Sequence, residues 1–250
     1  NVFAVGGLQA MVKGGLHVEK KRILLAGSGP LMFAVAAYLK QKKAHIVGIV
    51  EQAPLRSLIA MLPHLIRVAG LQWLGVEKNI LAVPRYYSRW ITRIHHADKK
   101  LEVFLRNKDK PISCDMVGCS YGLLPNNEIG RALGCATRSD GSIITNEHGE
   151  TSVADVLAAG ECTGIGGADL ATIEGKIAGF SAADHPAIAY PLLKKRQSLY
   201  RWSHRLAQTF ALNVQLKEIS TADSIVCRCE DVRMKDLALF VHAANSGGSL

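Results

Sequence analysis

Three places in this sequence hold residue types that can do chemistry at the spacing they occur. The longest runs from Thr151 to Glu174. There a short apolar run, Val156 to Ala159, ends at Gly160-Glu161. A glycine-rich loop with Gly164, Gly166 and Gly167 follows, and Ala168 opens a small-residue run. An acid at a strand end accepts hydrogen bonds from a ligand hydroxyl. Glycines let the backbone pass close to that ligand, and a helix N-terminus beside it favours negative charge. Gly160, Glu161, Gly167 and Ala168 are therefore candidate cofactor-binding residues. The second place is Gly27-Ser28-Gly29-Pro30, and the third is Cys227-Arg228-Cys229, two thiols one residue apart.

The Gly27 turn follows the β-rich run Arg22-Ile-Leu-Leu-Ala26 and opens the alanine-rich stretch Leu31 to Gln41. Gly27 permits a tight turn, and Gly29 lets the backbone approach a pyrophosphate seated on the helix N-terminus. The third glycine of such a turn is expected at position 32, where Met32 stands. A side chain there pushes the helix outward or must fill a gap. Glu51 follows the buried run Ile46-Val-Gly-Ile-Val50, close to the ~20-residue offset at which an acid reads a ribose. It is expected to accept hydrogen bonds from adenosine hydroxyls. Its charge disfavours a 2′-phosphate, so NAD or ATP is expected rather than NADP. Gly27, Ser28, Gly29, Pro30 and Glu51 form this candidate nucleotide set. The alternative is an inherited turn whose site has drifted.

These motifs need elements to carry them. Strand, Gly turn, helix, strand and acid in that order make a βαβ unit. Trp90 to His95 and Leu101 to Leu105 alternate around Ala97-Asp-Lys-Lys100 and read as an antiparallel hairpin. Asp115 to Gly118, Ser142 to Thr145 and Val156 to Ala159 read as strands, and Ser57 to Gly70 and Ala168 to Ala183 as helices. Pro191 to Leu212 is an amphipathic connector, and a last helix is expected from about Arg233. The fold class is α/β: a Rossmann-like, parallel-sheet, three-layer domain with an antiparallel hairpin, followed by further segments and a helical C-terminal extension.

With 250 residues the chain is long enough for two domains. Its net charge of +9 is scattered in short clusters such as Lys20-Lys21-Arg22, with no interleaved aromatics, so no nucleic-acid partner is expected. Ile23 to Leu39 carries no charge, but the Gly27 to Pro30 turn interrupts it, so no transmembrane segment is expected. Six sparse cysteines without a disulfide framework suggest a cytoplasmic protein, with peripheral attachment to the inner membrane through a complex as a variant of that reading.

Thr151 to Glu161 resembles the second flavin-contacting segment of glutathione-reductase-type flavoproteins, where the acid meets the ribityl chain and the next helix N-terminus faces the isoalloxazine. Here Glu161 replaces the usual Asp, one methylene longer. Gly122-Leu-Leu-Pro125-Asn126 resembles the crossover from the nicotinamide domain back to the flavin domain. A narrower resemblance rests on Val5-Gly-Gly-Leu-Gln-Ala10, Leu25-Ala-Gly-Ser-Gly-Pro-Leu31, Gly167-Ala-Asp-Leu-Ala-Thr-Ile-Glu-Gly175 and Cys227-Arg-Cys-Glu230, in this order. Together they resemble the larger-subunit family of opine oxidase, dye-linked proline dehydrogenase and hydrogen cyanide synthase, across essentially the whole chain. The resemblance implies an FAD-containing subunit that works beside a second flavoprotein subunit oxidising an amino-acid-like substrate. It also implies ATP rather than NAD at the nucleotide turn in some members. The family's opening Gly-x-Gly-x-x-Gly is expected before residue 1, so the chain alone is expected not to retain FAD.

This resemblance sets the domain boundaries: 1–17 a linker and helix from the flavin domain, 18–120 the nucleotide domain, and 121–187 the C-terminal half of the flavin domain. A helical connector spans 188–220, and 221–250 begins a [2Fe–2S] module like that of bacterioferritin-associated ferredoxin. Cys227 and Cys229 are its expected metal ligands, with two more thiolates expected beyond Leu250. Cys114 and Cys119 have the C-x4-C spacing of a redox pair. In one strand they would lie on opposite faces roughly 16 Å apart, whereas a disulfide needs Cα atoms within about 7 Å. No Ser-His-Asp set or H-E-x-x-H occurs, and the His95-His96 pair is expected at the surface of a hairpin turn. No catalytic acid or base is therefore assigned. The leading reading is a subunit relaying electrons from amino-acid or opine dehydrogenation. The alternatives are a stand-alone NADH-dependent flavoprotein reductase and a truncated, non-catalytic fragment.

Overall fold

The computed structural model describes residues 1–61, 80, 82–227 and 229–245. Its centre is a parallel sheet built from β1 (Val2–Ala4), β2 (Arg22–Gly27), β3 (His45–Glu51), β4 (Arg85–Tyr87) and β8 (Met116–Ser120), in the order β1-β8-β2-β3-β4. A second, antiparallel sheet runs β5 (Ile91–Ala97), β6 (Lys100–Leu105), β7 (Ile112–Cys114). Helices α1 (Val5–Lys13) and α2 (Leu31–Gln41) cover the opposite face of the parallel sheet.

The run Ile23 to Ala26 is fully buried because both faces of β2 are covered, and a strand buried on both sides has no polar alternation. Ile23, Leu25 and Ile49 pack with Leu8, Val35 and Leu39 on the helical side. Leu24, Ala26 and Val50 pack with Leu101, Val103 and Leu105 on the hairpin side. The result is the expected three-layer arrangement. Met32 is fully buried in the helical layer, so it fills the gap left by the missing third glycine.

Several expectations need revision. Residues 1–17 hold the expected helix, α1, and also add a strand: Val2 pairs with Val117 in β1–β8, and α1 packs into the helical layer beside α2. Cys114 and Cys119 do not share a strand, since the chain leaves β7 and enters β8 at Asp115. Both cysteines therefore face the same interlayer core instead of opposite faces. They are free thiols, and burial pushes each up to about 11, which leaves them protonated and unreactive. Among the described residues, the expected strands at 142–145 and 156–159 form isolated bridges, Thr137 with Ile143 and Glu150 with Leu157, rather than ladders. His95 and His96 are exposed as expected but lie within β5. The helix expected over 57–70 is present from 55 to 61; its remainder lies outside the described residues.

Beyond the sheets, helix Ala168–Ala182 packs against helix Tyr190–Thr209 through Ile173, Ile177 and Ala189, joined by Leu192 and Leu199. A small hairpin, β9 (Ile225–Cys227) with β10 (Val232–Arg233), precedes the last helix, Met234–Asn245. Among the described residues no helix is long and apolar enough to cross a membrane.

Gly27 is fixed by its neighbours. It lies against β8, where Ser28 N–H donates to the Ser120 carbonyl at 2.6 Å, and a Cβ on Gly27 would run into that same carbonyl. Gly29 has φ +106° but open space around it. Gly27→Ala should therefore cost about 3 kcal/mol through overpacking against rigid backbone, whereas Gly29→Ala should cost ~1 kcal/mol of conformational strain. Urea denaturation of the two variants checks this, and equal losses would show that the Ser120 contact does not set the limit.

Candidate functional site

The candidate residues fall into three places. The first lies at the C-terminal edge of the parallel sheet, where β2, β3 and β8 end side by side. Ligands in open α/β sheets bind beyond such carboxyl ends. Gly27 leads into Ser28, Gly29 and Pro30, and Pro30 caps α2 with φ −68°, the value a proline ring holds. Glu51 closes β3 and is fully buried. Its Oε2 accepts from Gly29 N–H at 3.0 Å and its Oε1 from Ala53 N–H at 2.8 Å. The carboxylate thus faces the chain's own amides, where the sequence suggested a ribose. Burial pushes its carboxyl above the usual range, and the Ala53 and Gly29 amides partly offset that.

Sequence reasoning missed Gln52. Its Nε2 donates to Ser28 Oγ at 2.9 Å and to the Ala211 carbonyl at 3.1 Å, and its Oε1 accepts from Asn213 N–H at 3.0 Å. Ser28 Oγ donates to the Phe210 carbonyl at 2.9 Å. The available signal was a glutamine next to Glu51, where an amide offers both a donor and an acceptor.

The second place is the Gly160 loop. Gly160 (φ +86°) starts a short 3₁₀ turn, Glu161–Thr163, and Glu161 is exposed on it. Gly164 and Gly167 follow with φ +144° and +81°, and a Cβ on either would meet open space. Gly167 then caps helix Ala168–Ala182, whose first residue, Ala168, is exposed. An exposed carboxylate, two uncrowded glycines and a 15-residue helix beginning beside them suit a flavin edge: Glu161 can accept from ribityl hydroxyls, and the helix end can favour negative charge. The loop is held by a residue the sequence did not single out. Glu174, buried on the apolar stripe of its helix, accepts from Gly160 N–H at 3.0 Å and from Thr163 Oγ1 at 2.9 Å, and its Oε1 takes Arg196 Nε at 3.3 Å. Arg138 adds bonds to the Thr163 and Ile143 carbonyls. A carboxylate between Leu170, Ile173 and Ile177 was the readable signal for Glu174, because charge in such a stripe must be paired.

The third place is the β9–β10 hairpin, with Cys227 half-buried and Cys229 exposed. Among the described residues no three His, Cys, Asp or Glu side chains converge on a metal position. The hairpin offers two thiols of the four that an iron–sulfur cluster takes.

Glu51 gives a pH signature. A carboxyl raised by burial favours its protonated form in the fold. Its contribution to stability is full below the ordinary value of 4.5 and is lost as pH rises through the elevated folded value. In urea melts from about pH 4 to about pH 8, the wild type should lose stability relative to Glu51→Gln as pH rises. A gap that does not change with pH would contradict this.

The fold agrees with what the chain is similar to. The model of the pyridine nucleotide-disulphide oxidoreductase family matches residues 5–183. Hydrogen cyanide synthase subunit HcnB of Pseudomonas aeruginosa is 26% identical over 265 residues, covering 94% of this chain and 57% of that protein. An opine oxidase subunit of Rhizobium meliloti is 26% identical over 270 residues, covering 98% of this chain and 58% of that protein. The chain thus spans somewhat over half the length of these curated relatives. Among solved structures, an FAD-dependent pyridine nucleotide-disulphide oxidoreductase from Desulfovibrio vulgaris superposes with a TM-score of 0.53 at 23% identity, over 74% of this chain and 49% of that one. Thioredoxin reductase from T. acidophilum gives 0.50 at 20% identity, over 78% and 57%. These two structures share the fold of this chain. With the family match running from α1 through helix Ala168–Ala182, the chain belongs to the pyridine nucleotide-disulphide oxidoreductase family.

Proposed function

We propose that this chain belongs to the FAD-containing subunit of an amino-acid- or opine-type dehydrogenase, which receives electrons from a second flavoprotein and passes them on. The observation that carries this reading is the match, over 94% and 98% of the chain, to proteins named as subunits of hydrogen cyanide synthase and opine oxidase. The site geometry supports it. The Ser28, Glu51 and Gln52 side chains are engaged by the chain's own groups, while Glu161 and the Gly167–Ala168 helix start are exposed. That favours electrons arriving from a partner over hydride delivered by NADH at the nucleotide turn.

Each candidate residue has a part in this reading. Glu161 accepts hydrogen bonds from ribityl hydroxyls and so fixes the cofactor's position. Gly160 and Gly167 let the backbone approach, and the Ala168 end of the helix lowers the energy of negative charge beside it. Bound FAD would supply the two-electron chemistry, with no acid or base required from this chain. Glu174 and Arg196 keep the Gly160 turn in shape. Gly27 to Pro30, with Glu51 behind them, cradle ATP or NAD. Cys227 and Cys229 give two thiolates to a [2Fe–2S] cluster.

The complex should reduce a dye with proline or an opine only when the second flavoprotein is present, and NADH should not replace that substrate. Dye reduction by NADH without a partner would instead favour the reductase reading. Glu161→Ala should weaken FAD binding in the assembled enzyme on the order of tenfold, since a hydrogen bond to a charged group contributes about 1.5–3 kcal/mol. Flavin titration followed by fluorescence reads this, and unchanged affinity removes Glu161 from the site. Cys227→Ser should abolish cluster iron while leaving flavin content intact. Iron and flavin analysis of one preparation decides it, and retained iron would exclude Cys227 as a ligand.

A further inference from the structure

The nucleotide turn makes hydrogen bonds to a segment of its own chain about 160 to 180 residues away. Ser28 Oγ donates to the Phe210 carbonyl at 2.9 Å, Gln52 Nε2 to the Ala211 carbonyl at 3.1 Å, and Asn213 N–H to Gln52 Oε1 at 3.0 Å, over separations of 182, 159 and 161 residues. Ser28 and Gln52 are both buried.

Helix Tyr190–Thr209 explains why the segment offers these groups. The last carbonyls of a helix have no partner within it. Phe210 and Ala211 close the final turn by donating to the Leu206 and Gln208 carbonyls, which leaves their own carbonyls pointing onward. Those two carbonyls take the hydroxyl and amide donors at the ends of β2 and β3. Phosphate and ribose oxygens accept from the same kinds of donor, so the strap presents the turn with neutral stand-ins for a nucleotide's acceptors.

We propose that residues 210–213 form an internal strap that competes with an adenine nucleotide for the Gly27–Pro30 turn. The proposal rests on the nucleotide reading of that turn and adds to it a closed state held by the chain itself. A nucleotide that takes the Ser28 and Gln52 donors must release the strap. The strap continues into the 3₁₀ turn Val214–Ile219 and then into the β9 strand that carries Cys227. Nucleotide occupancy and the position of the thiol hairpin are thereby linked through one stretch of backbone.

The test alters the strap and leaves the turn untouched. Asn213 has φ −63°, which proline also adopts, so Asn213→Pro deletes the N–H that Gln52 accepts, together with the Asn213 Oδ1 that caps Gln215 N–H, and Asn213→Ala, which loses only that cap, is the control. A second variant, Ala211→Gly with Leu212→Gly, loosens the strap through chain entropy and covers the case in which the proline variant does not fold. ATP and NADH are each titrated by calorimetry into the wild type and both variants. Loss of about one hydrogen bond should tighten at least one nucleotide roughly fivefold to tenfold. In the wild type, that nucleotide should also speed hydrogen exchange at the Asn213 amide. Equal affinity in all three proteins, or exchange that nucleotide does not change, overturns the strap alone. Absence of binding in all three overturns the nucleotide reading and the strap with it.

Discussion

The carboxylate of Glu51 is buried where the parallel sheet ends, and much of the surrounding geometry depends on satisfying it. A buried charge without hydrogen bonds costs several kcal/mol. Gly29 and Ala53 give it two amides, and those bonds tie the end of β3 to the turn after β2. Once the turn is drawn in, Gly27 sits so close to the Ser120 carbonyl that no side chain fits. The next residue, Gln52, then reaches across to the end of a helix far along the sequence. One acid thus organises the sheet edge, the glycine turn and the strap. The same bonds use one acceptor position on each oxygen of an acid whose type and place also suit a ribose.

A second buried carboxylate does comparable work in the other half. Glu174 bonds Gly160 and Thr163 on one side and Arg196 on the other, so one residue joins the glycine loop, its own helix and the following helix. Breaking such a buried pair by removing one partner is strongly destabilising, because the remaining charge is left uncompensated. The division of labour is physical. The acid that holds the loop is inside, where its charge is fully matched. Glu161, the acid available to a ligand, is outside and next to glycines.

The antiparallel sheet explains why the cysteines of this domain are inert. It lies over one face of the parallel sheet, burying Cys114 and half-burying Cys119 against the shared core, where the charged thiolate is disfavoured. On the small hairpin Cys227 is half-buried and Cys229 is exposed. Family membership therefore brings the dinucleotide fold without a disulfide redox pair at the C-x4-C spacing.

Much of this was legible in the residues. The uninterrupted apolar runs Ile23 to Ala26 and Ile46 to Val50 read as doubly covered strands, the Gly27 turn as a helix start, and the alternation around Asp98 as a hairpin. Those are local signals, set by steric limits and by hydrophobic period. The order of the motifs also carried the family. What sequence could not decide was where each polar group would find its partner. Glu51 is near the expected position for a ribose ligand, yet its bonds go to Gly29 and Ala53. Gln52 looked ordinary until Ala211 and Asn213 came within 3.1 Å of it. Residues 1–17 read as a linker and helix; the helix formed, but the strand before it existed only once β8 offered a partner. In each case the deciding contact joins residues distant in the chain, or depends on how deeply a group is buried. Local composition fixes which elements form; only their packing determines which buried donors and acceptors must satisfy one another.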